Sequence, residues 1–158
     1  ARAVGIDQSP QMLALARVRI ERAGLRHVQL RQGDIYAVPV KGDFYDLAMM
    51  HQVLHYLDDP MRAIREAVRI LRPGGRLLIV DFAPHDAEAL RSAHAHRRLG
   101  FAPEEIAGFL AAARLDLILA GNLVPKSGEA GKLTVSLWLG RDRRVIANPI
   151  EVTARVVA

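Results

Sequence analysis

The stretch Arg69-Ile70-Leu71-Arg72-Pro73-Gly74-Gly75-Arg76-Leu77-Leu78-Ile79-Val80-Asp81-Phe82 joins a helical pattern to a strand pattern through a turn. Before the turn, Ala63, Ile64, Ala67, Val68 and Leu71 recur at helical spacing, with Arg62, Arg65, Glu66, Arg69 and Arg72 on the opposite side. Pro73 cannot extend a helix, the two glycines let the chain reverse, and the apolar run over 76–82 reads as a strand. A helix that stops and turns into an apolar strand is half of a βαβ unit.

Working outward, the rest of the chain repeats that alternation. Asp58-Asp59-Pro60 opens the same helix, and the mostly apolar run 44–50 before it predicts a strand buried on both faces. Further upstream come a strand over 3–6, a Ser9-Pro10 helix start, and a helix to about residue 23 with Met12, Leu13, Ala16 and Ile20 on one face. Gly24 ends that helix, and a strand over 27–31 follows. Downstream, the pattern predicts a polar helix over 86–99 and a short helix from Ala102-Pro103-Glu104-Glu105 to about residue 113. Strands over 115–123 and 133–139 follow, joined by a glycine-rich loop at 125–131 that suits an antiparallel return. One domain over 1–140 is expected, and the tail 141–158 carries an alternating stretch at 150–156 that reads as an extra edge strand or a loose terminus.

Composition bounds the chemistry. With 158 residues, 51% hydrophobic and 25% charged, the chain can bury one real core. Without cysteine there is no disulfide framework, thiolate–zinc site or cysteine nucleophile. No apolar run approaches the roughly 20 residues of a membrane span, nothing argues for secretion, and a cytoplasmic location is expected. The net charge of +5 is dispersed, and few aromatic residues accompany it, so a solvated surface fits better than a nucleic-acid stripe.

Two acidic residues stand at predicted strand ends. Asp7 sits at the carboxyl end of the first strand, where open α/β sheets bind ligands and a carboxylate can accept both hydroxyls of a ribose. Gly33-Asp34 follows the second strand; the glycine would let backbone approach a flat ring, the aspartate would accept an amino hydrogen, and Ile35 would form an apolar wall. Capping and turn formation are the competing roles for these residues. Together they describe an adenosine pocket.

These pieces, with Phe44-Tyr45-Asp46-Leu47, His51-Gln52-Val53-Leu54-His55-Tyr56-Leu57 and the Leu-Arg-Pro-Gly-Gly turn arriving in order, resemble the class I S-adenosylmethionine-dependent methyltransferases over residues 3–140. Within that superfamily the chain looks like the small-molecule branch related to the quinone-biosynthesis C-methyltransferases. His94-Ala95-His96-Arg97-Arg98-Leu99-Gly100-Phe101 also looks like the methyltransferase half of bacterial regulators with an arsenic-repressor-type winged helix in front. The resemblance implies a Rossmann-like α/β sheet of order 3-2-1-4-5-7-6, mostly parallel with an antiparallel last strand. It also implies S-adenosylmethionine as cofactor, a small-molecule methyl acceptor, and a homodimer as one assembly. Nucleic acid would enter only through an upstream DNA-binding domain. It places Asp7 on the ribose, Asp34 at the adenine amino group with Gly33, Ile35 and Gln8 beside the ring, and His51 and Gln52 near the methionine part.

The chain begins at the position of family strand 2, so strand 1 and its glycine-rich loop are expected to be lacking. Strand 1 is central. Its absence predicts either a longer protein that was cut or proteolysed, or a gap that strand 2 closes by pairing with strand 4 or that a partner chain fills, and a chain inactive by itself. His51 and His85 are candidate bases at ligand-facing strand ends. His51 and His55 have the spacing of a helical zinc pair but no third ligand, so no metal is expected; His55 reads more simply as packing on the sheet edge. Two other functions remain open from sequence: a non-catalytic S-adenosylmethionine-sensing or dimerisation module, and a fragment of an NAD(P)-dependent oxidoreductase.

Overall fold

Helix starts follow from the local chemistry. In the computed structural model, which describes residues 2–125 and 132–144, the Ser9 hydroxyl accepts the Met12 N–H and begins α1 (Pro10–Arg22), with Pro10 at its first position. Asp59 does the same for α2 (Pro60–Ile70) by accepting the Arg62 N–H at 2.9 Å. The strands are β1 (Ala3–Asp7), β2 (Val28–Gln32), β3 (Tyr45–His51), β4 (Leu71–Phe82), β5 (Leu115–Leu123) and β6 (Val135–Asp142), and two more helices are α3 (Ala89–His94) and α4 (Pro103–Ala112). β6 runs two residues past 140, because Arg141 and Asp142 still pair with Arg76 and Leu115. The loop 126–131 and the alternating stretch 150–156 lie outside the described residues.

The architecture is Rossmann-like α/β. β1 and β2 pair in parallel as one unit, and β3-β4-β6-β5 form a second sheet in which β6 is antiparallel to both neighbours. This is the expected order with position 1 left out. Among the described residues no ladder joins β1 to β3, so direct closure of the gap, one of the two expectations, does not occur. The two-stranded unit is instead tied to α2 through the connection at residues 33–44. Glu66 accepts the Val38 N–H at 2.7 Å, and Arg69 bridges Glu66 to the carbonyls of Val38 and Val40. The Arg69 guanidinium beside it, and then the Val38 N–H, hold the Glu66 carboxyl below its usual range against the opposing effect of burial.

Three local predictions change. The Pro-Gly-Gly segment is a bulge inside β4 and not a turn before it: Leu71 already pairs with Tyr45, and pairing resumes only at Leu47 and Arg76. Gly74 makes the detour possible with φ +74°, and a Cβ on Gly75 would lie 2.8 Å from the Arg72 carbonyl oxygen. β3 is buried on one face only; Ala48 and Met50 enter the core, whereas Leu47 and Met49 are 51% and 61% exposed. The predicted polar helix over 86–99 is cut to α3, because Ala95 turns left-handed (φ 54°) and the N–H groups of Arg97 and Arg98 then donate to the His55 carbonyl.

The core lies between the four-stranded sheet, α2 and α4, with Leu54, Ile64, Leu71, Leu77, Ile79, Phe101, Ile106, Leu110 and Trp138 fully buried. No helix among the described residues is long and apolar enough to cross a membrane.

Candidate functional site

The edges of β1 and β3 face one another across a hollow of about 1890 Å³, lined by residues 2–9 on one side and 44–51 on the other. That exceeds the roughly 300–1,000 Å³ of an ordinary ligand pocket. It comprises a groove along two unpaired strand edges together with the ligand-facing ends of β1 and β3.

Asp7 lines this hollow, half-buried, at the end of β1. Its Oδ1 accepts the Ser9 N–H at 2.8 Å, and among the described residues nothing donates to Oδ2. The carboxylate therefore caps a turn with one oxygen, while the other accepts no hydrogen bond among the described residues. The end of β2 lies alongside, since Asp7 is in register with Gln32 and the Gly33 N–H donates to the Asp7 carbonyl at 3.1 Å. Gln8, Gly33, Ile35 and His51 also line the hollow. Asp34 and Gln52 are not among its lining residues. Asp34 is exposed and spends Oδ1 on the Tyr36 N–H at 2.9 Å. Gln52 holds a left-handed φ of 48° where β3 ends, and its N–H donates to the Val80 carbonyl at 2.7 Å. Such a conformation in a non-glycine residue costs about 1–3 kcal/mol and clusters at ligand sites.

The glycine at 33 has a packing cause. A Cβ there would fall 2.6 Å from the Pro39 ring and 3.1 Å from Ile6, so close packing against proline also requires glycine at this position. His51 ends a strand while His55 lies in the 3-10 turn at Leu54–Tyr56, so the two do not share a helical face. Among the described residues no group of three His, Asp or Glu side chains could hold a metal ion.

His85 does not line the hollow. Its N–H donates to the Leu99 carbonyl, its Nδ1 accepts the Ala87 N–H at 3.3 Å, and its ring meets those of Phe82 and His96. Burial, only partly offset by Asp86, holds its imidazole below the usual histidine range. His96 is lowered for the same first reason, with His55 adding to it.

Sequence reasoning missed the pair at the centre of this cluster. His55 and Asp81 are 1% and 0% exposed, and Nδ1 of the first lies 2.6 Å from Oδ1 of the second. The available signal was the lone acid in the otherwise apolar run 77–82. A carboxylate placed in a buried strand needs donors, and Asp81 also accepts the N–H groups of Leu54 and Phe82.

Comparison with known proteins identifies the family. A family model described as a methyltransferase domain matches residues 1–79. An uncharacterized 37.1 kDa protein in transposon TN4556 of Streptomyces fradiae is 42% identical over 78 residues, 49% of this chain and 22% of its own length. The demethylmenaquinone methyltransferase of Thermus thermophilus is 36% identical over 84 residues, 53% of this chain and 38% of its own length. The chain thus matches well under half the length of these relatives. The crystal structure of the YcgJ protein of Bacillus subtilis superposes with a TM-score of 0.71 at 21% identity, covering 91% of this chain and 83% of that one. The match over 1–79 takes in β1, the Asp7 turn, the end of β2 and the Pro-Gly-Gly bulge, half of the sequence, and by it the chain belongs to the methyltransferase-domain family.

Proposed function

We propose that this chain is part of an enzyme that moves a methyl group from S-adenosylmethionine to a small-molecule acceptor. The observation that carries the reading is Oδ2 of Asp7, which among the described residues accepts no hydrogen bond, on a residue that lines the hollow where the ends of β1 and β2 lie in register. The residues fit the group. Asp7 would accept the ribose hydroxyls, Asp34 with its second oxygen would take the adenine amino hydrogens, and Gln8 and Ile35 would flank the ring. His51 and Gln52 would lie toward the methionine part and the acceptor, and of the two candidate bases His51 is the one that lines the hollow.

The bound cofactor supplies an activated methyl on a sulfonium, so the protein's work is to bind, to align and to keep water out. The groove between β1 and β3 bears on this. Its two strand edges leave backbone groups without ladder partners, and a strand from a further segment or a partner chain would satisfy both edges at once. In this reading, turnover depends on such a strand completing the site. The likeness to a demethylmenaquinone methyltransferase favours a small organic acceptor over a macromolecule.

Calorimetry of the full-length protein with S-adenosylmethionine tests the reading. Asp7→Asn is expected to weaken binding about tenfold or more, the worth of a charge-assisted hydrogen bond, with the fold unchanged. No binding to the parent protein, or equal binding by the variant, overturns it.

A further inference from the structure

We propose that His55, oriented by Asp81, is a general base for a planar acceptor bearing an ionisable hydroxyl, a phenol or an enol. This rests on the methyl-transfer reading above and names its substrate class. Asp81 is filled by three donors: the N–H groups of Leu54 at 2.9 Å and Phe82 at 2.8 Å, and Nδ1 of His55 at 2.6 Å. A carboxylate only accepts, so the proton of the neutral imidazole sits on Nδ1 and Nε2 presents a lone pair. That Nε2 is buried and, among the described residues, has no partner.

It is not an isolated lapse in packing. Nδ1 of His96 and Nε2 of His85 are buried and unpartnered in the same cluster. A buried ring nitrogen without a partner bears the full desolvation cost of that atom, and three together describe a place prepared for a hydrogen-bonding group. Among the described residues no group of His, Asp or Glu side chains is arranged to hold a metal ion there, and the proposal assigns an organic hydroxyl to these nitrogens. The surroundings specify a flat one. Ring centroids of Tyr56, His96 and Phe82 lie 4.1, 4.2 and 5.0 Å from that of His55, so the nitrogens are set among aromatic faces.

Position supports the same role. Asp81 lies near the carboxyl end of β4 and His55 just past that of β3, the ligand-binding end of such sheets. Val53, Tyr56 and Leu57, chain neighbours of His55, line the large hollow, and the ring of Tyr56, 43% exposed, packs on that of His55 with 4.1 Å between centroids. His55 does not line the hollow, so in this proposal an acceptor entering from it displaces the Tyr56 ring to meet Nε2. The acceptor O–H bond then breaks with its electron pair kept on oxygen, and the proton passes to Nε2. The Asp81 carboxylate balances the imidazolium, and the oxyanion is left as the nucleophile for the methyl donor.

The test uses the full-length protein and 4-nitrophenol, whose visible absorbance reports its ionisation, without cofactor. At one pH unit below the probe's own pKa, binding is expected to raise the phenolate fraction about fivefold, and folded His55→Gln is expected to abolish the rise. Because His55→Gln removes a core pair and can unfold the chain, nitrogen NMR of the imidazoles follows the unsubstituted protein. Binding should convert Nε2 of His55 from an unprotonated to a protonated signal. A probe bound as the neutral phenol, no binding of the probe, or a phenolate signal that persists in folded His55→Gln overturns the assignment. S-adenosylmethionine calorimetry on the same sample separates the two failures. Cofactor binding with a negative probe result removes only the base, whereas loss of cofactor binding removes the transfer reading.

Discussion

The two sheets of this molecule are built to different standards. Every residue of the continuous core comes from residues 48–138, in and around the four-stranded sheet, whereas the unit of β1, α1 and β2 contributes only Leu13 as a fully buried apolar side chain. Yet Asp7, Gln8, Gly33, Asp34 and Ile35, which carry the nucleoside-binding reading, all lie in or just after that lightly packed unit. The difference separates two roles: one half supplies cohesion, and the other presents polar backbone and carboxylates and is held in place by a few hydrogen bonds to α2.

The largest expected effect is at the centre of the cohesive half. Trp138→Ala opens a cavity beneath β4 and β6 and should cost about 3–5 kcal/mol in denaturant unfolding. Hydrogen exchange on the parent chain should show β4 and β6 opening only with the whole molecule and β1 and β2 opening at much lower free energy. Equal protection in both units would erase the contrast. Gly100→Ala comes next. Gly100 has φ +84°, and a Cβ would meet the Ala83 carbonyl oxygen at 2.1 Å, so a loss on the order of 1–3 kcal/mol is expected from backbone strain, with any steric shift adding to it. Because this glycine seats the segment carrying His96 and Phe101, the melting curve should shift while exchange in β1 and β2 stays as before.

Glu66→Gln sharpens the comparison from the other side. It weakens the hydrogen bonds that the Glu66 carboxylate accepts from the Val38 N–H and from Arg69 and should cost about 1–2 kcal/mol. Exchange should quicken at residues 3–7 and 28–32 and not in β4 or β6. The smallest effect is that of pH. His85 and His96 take up protons less readily when folded, chiefly because they are buried, so the folded state holds fewer protons than the unfolded one. Stability should fall as pH drops below about 6.5 toward their depressed native values and should be flat above it. A double substitution of His85 and His96 by glutamine should flatten that part of the thermal-stability profile.

Most of the fold was legible because its signals are local. Ser9-Pro10 and Asp59-Pro60 cap helices by short-range chemistry, and the apolar runs at 45–51 and 76–82 have few alternatives to strand. What could not be read depends on distant partners. Whether Leu47 and Met49 are covered is set by neighbours far off in sequence, and the helix after residue 86 ends early because the His55 carbonyl, more than 30 residues upstream, draws two N–H groups away. At the site, Asp7 was visible from its place at a strand end. The His55–Asp81 contact spans 26 positions and follows no spacing rule, and the packing of Gly33 against Pro39 is announced by no turn signal.

The free edges of β1 and β3 carry a consequence for behaviour in bulk. Each offers a run of backbone donors and acceptors to any strand of matching register, and the exposed Leu47 and Met49 beside one of them add adhesive surface. As protein concentration rises, molecules of this length should stick to one another edge to edge, so light scattering grows with concentration. Lysine placed on either rim should suppress it.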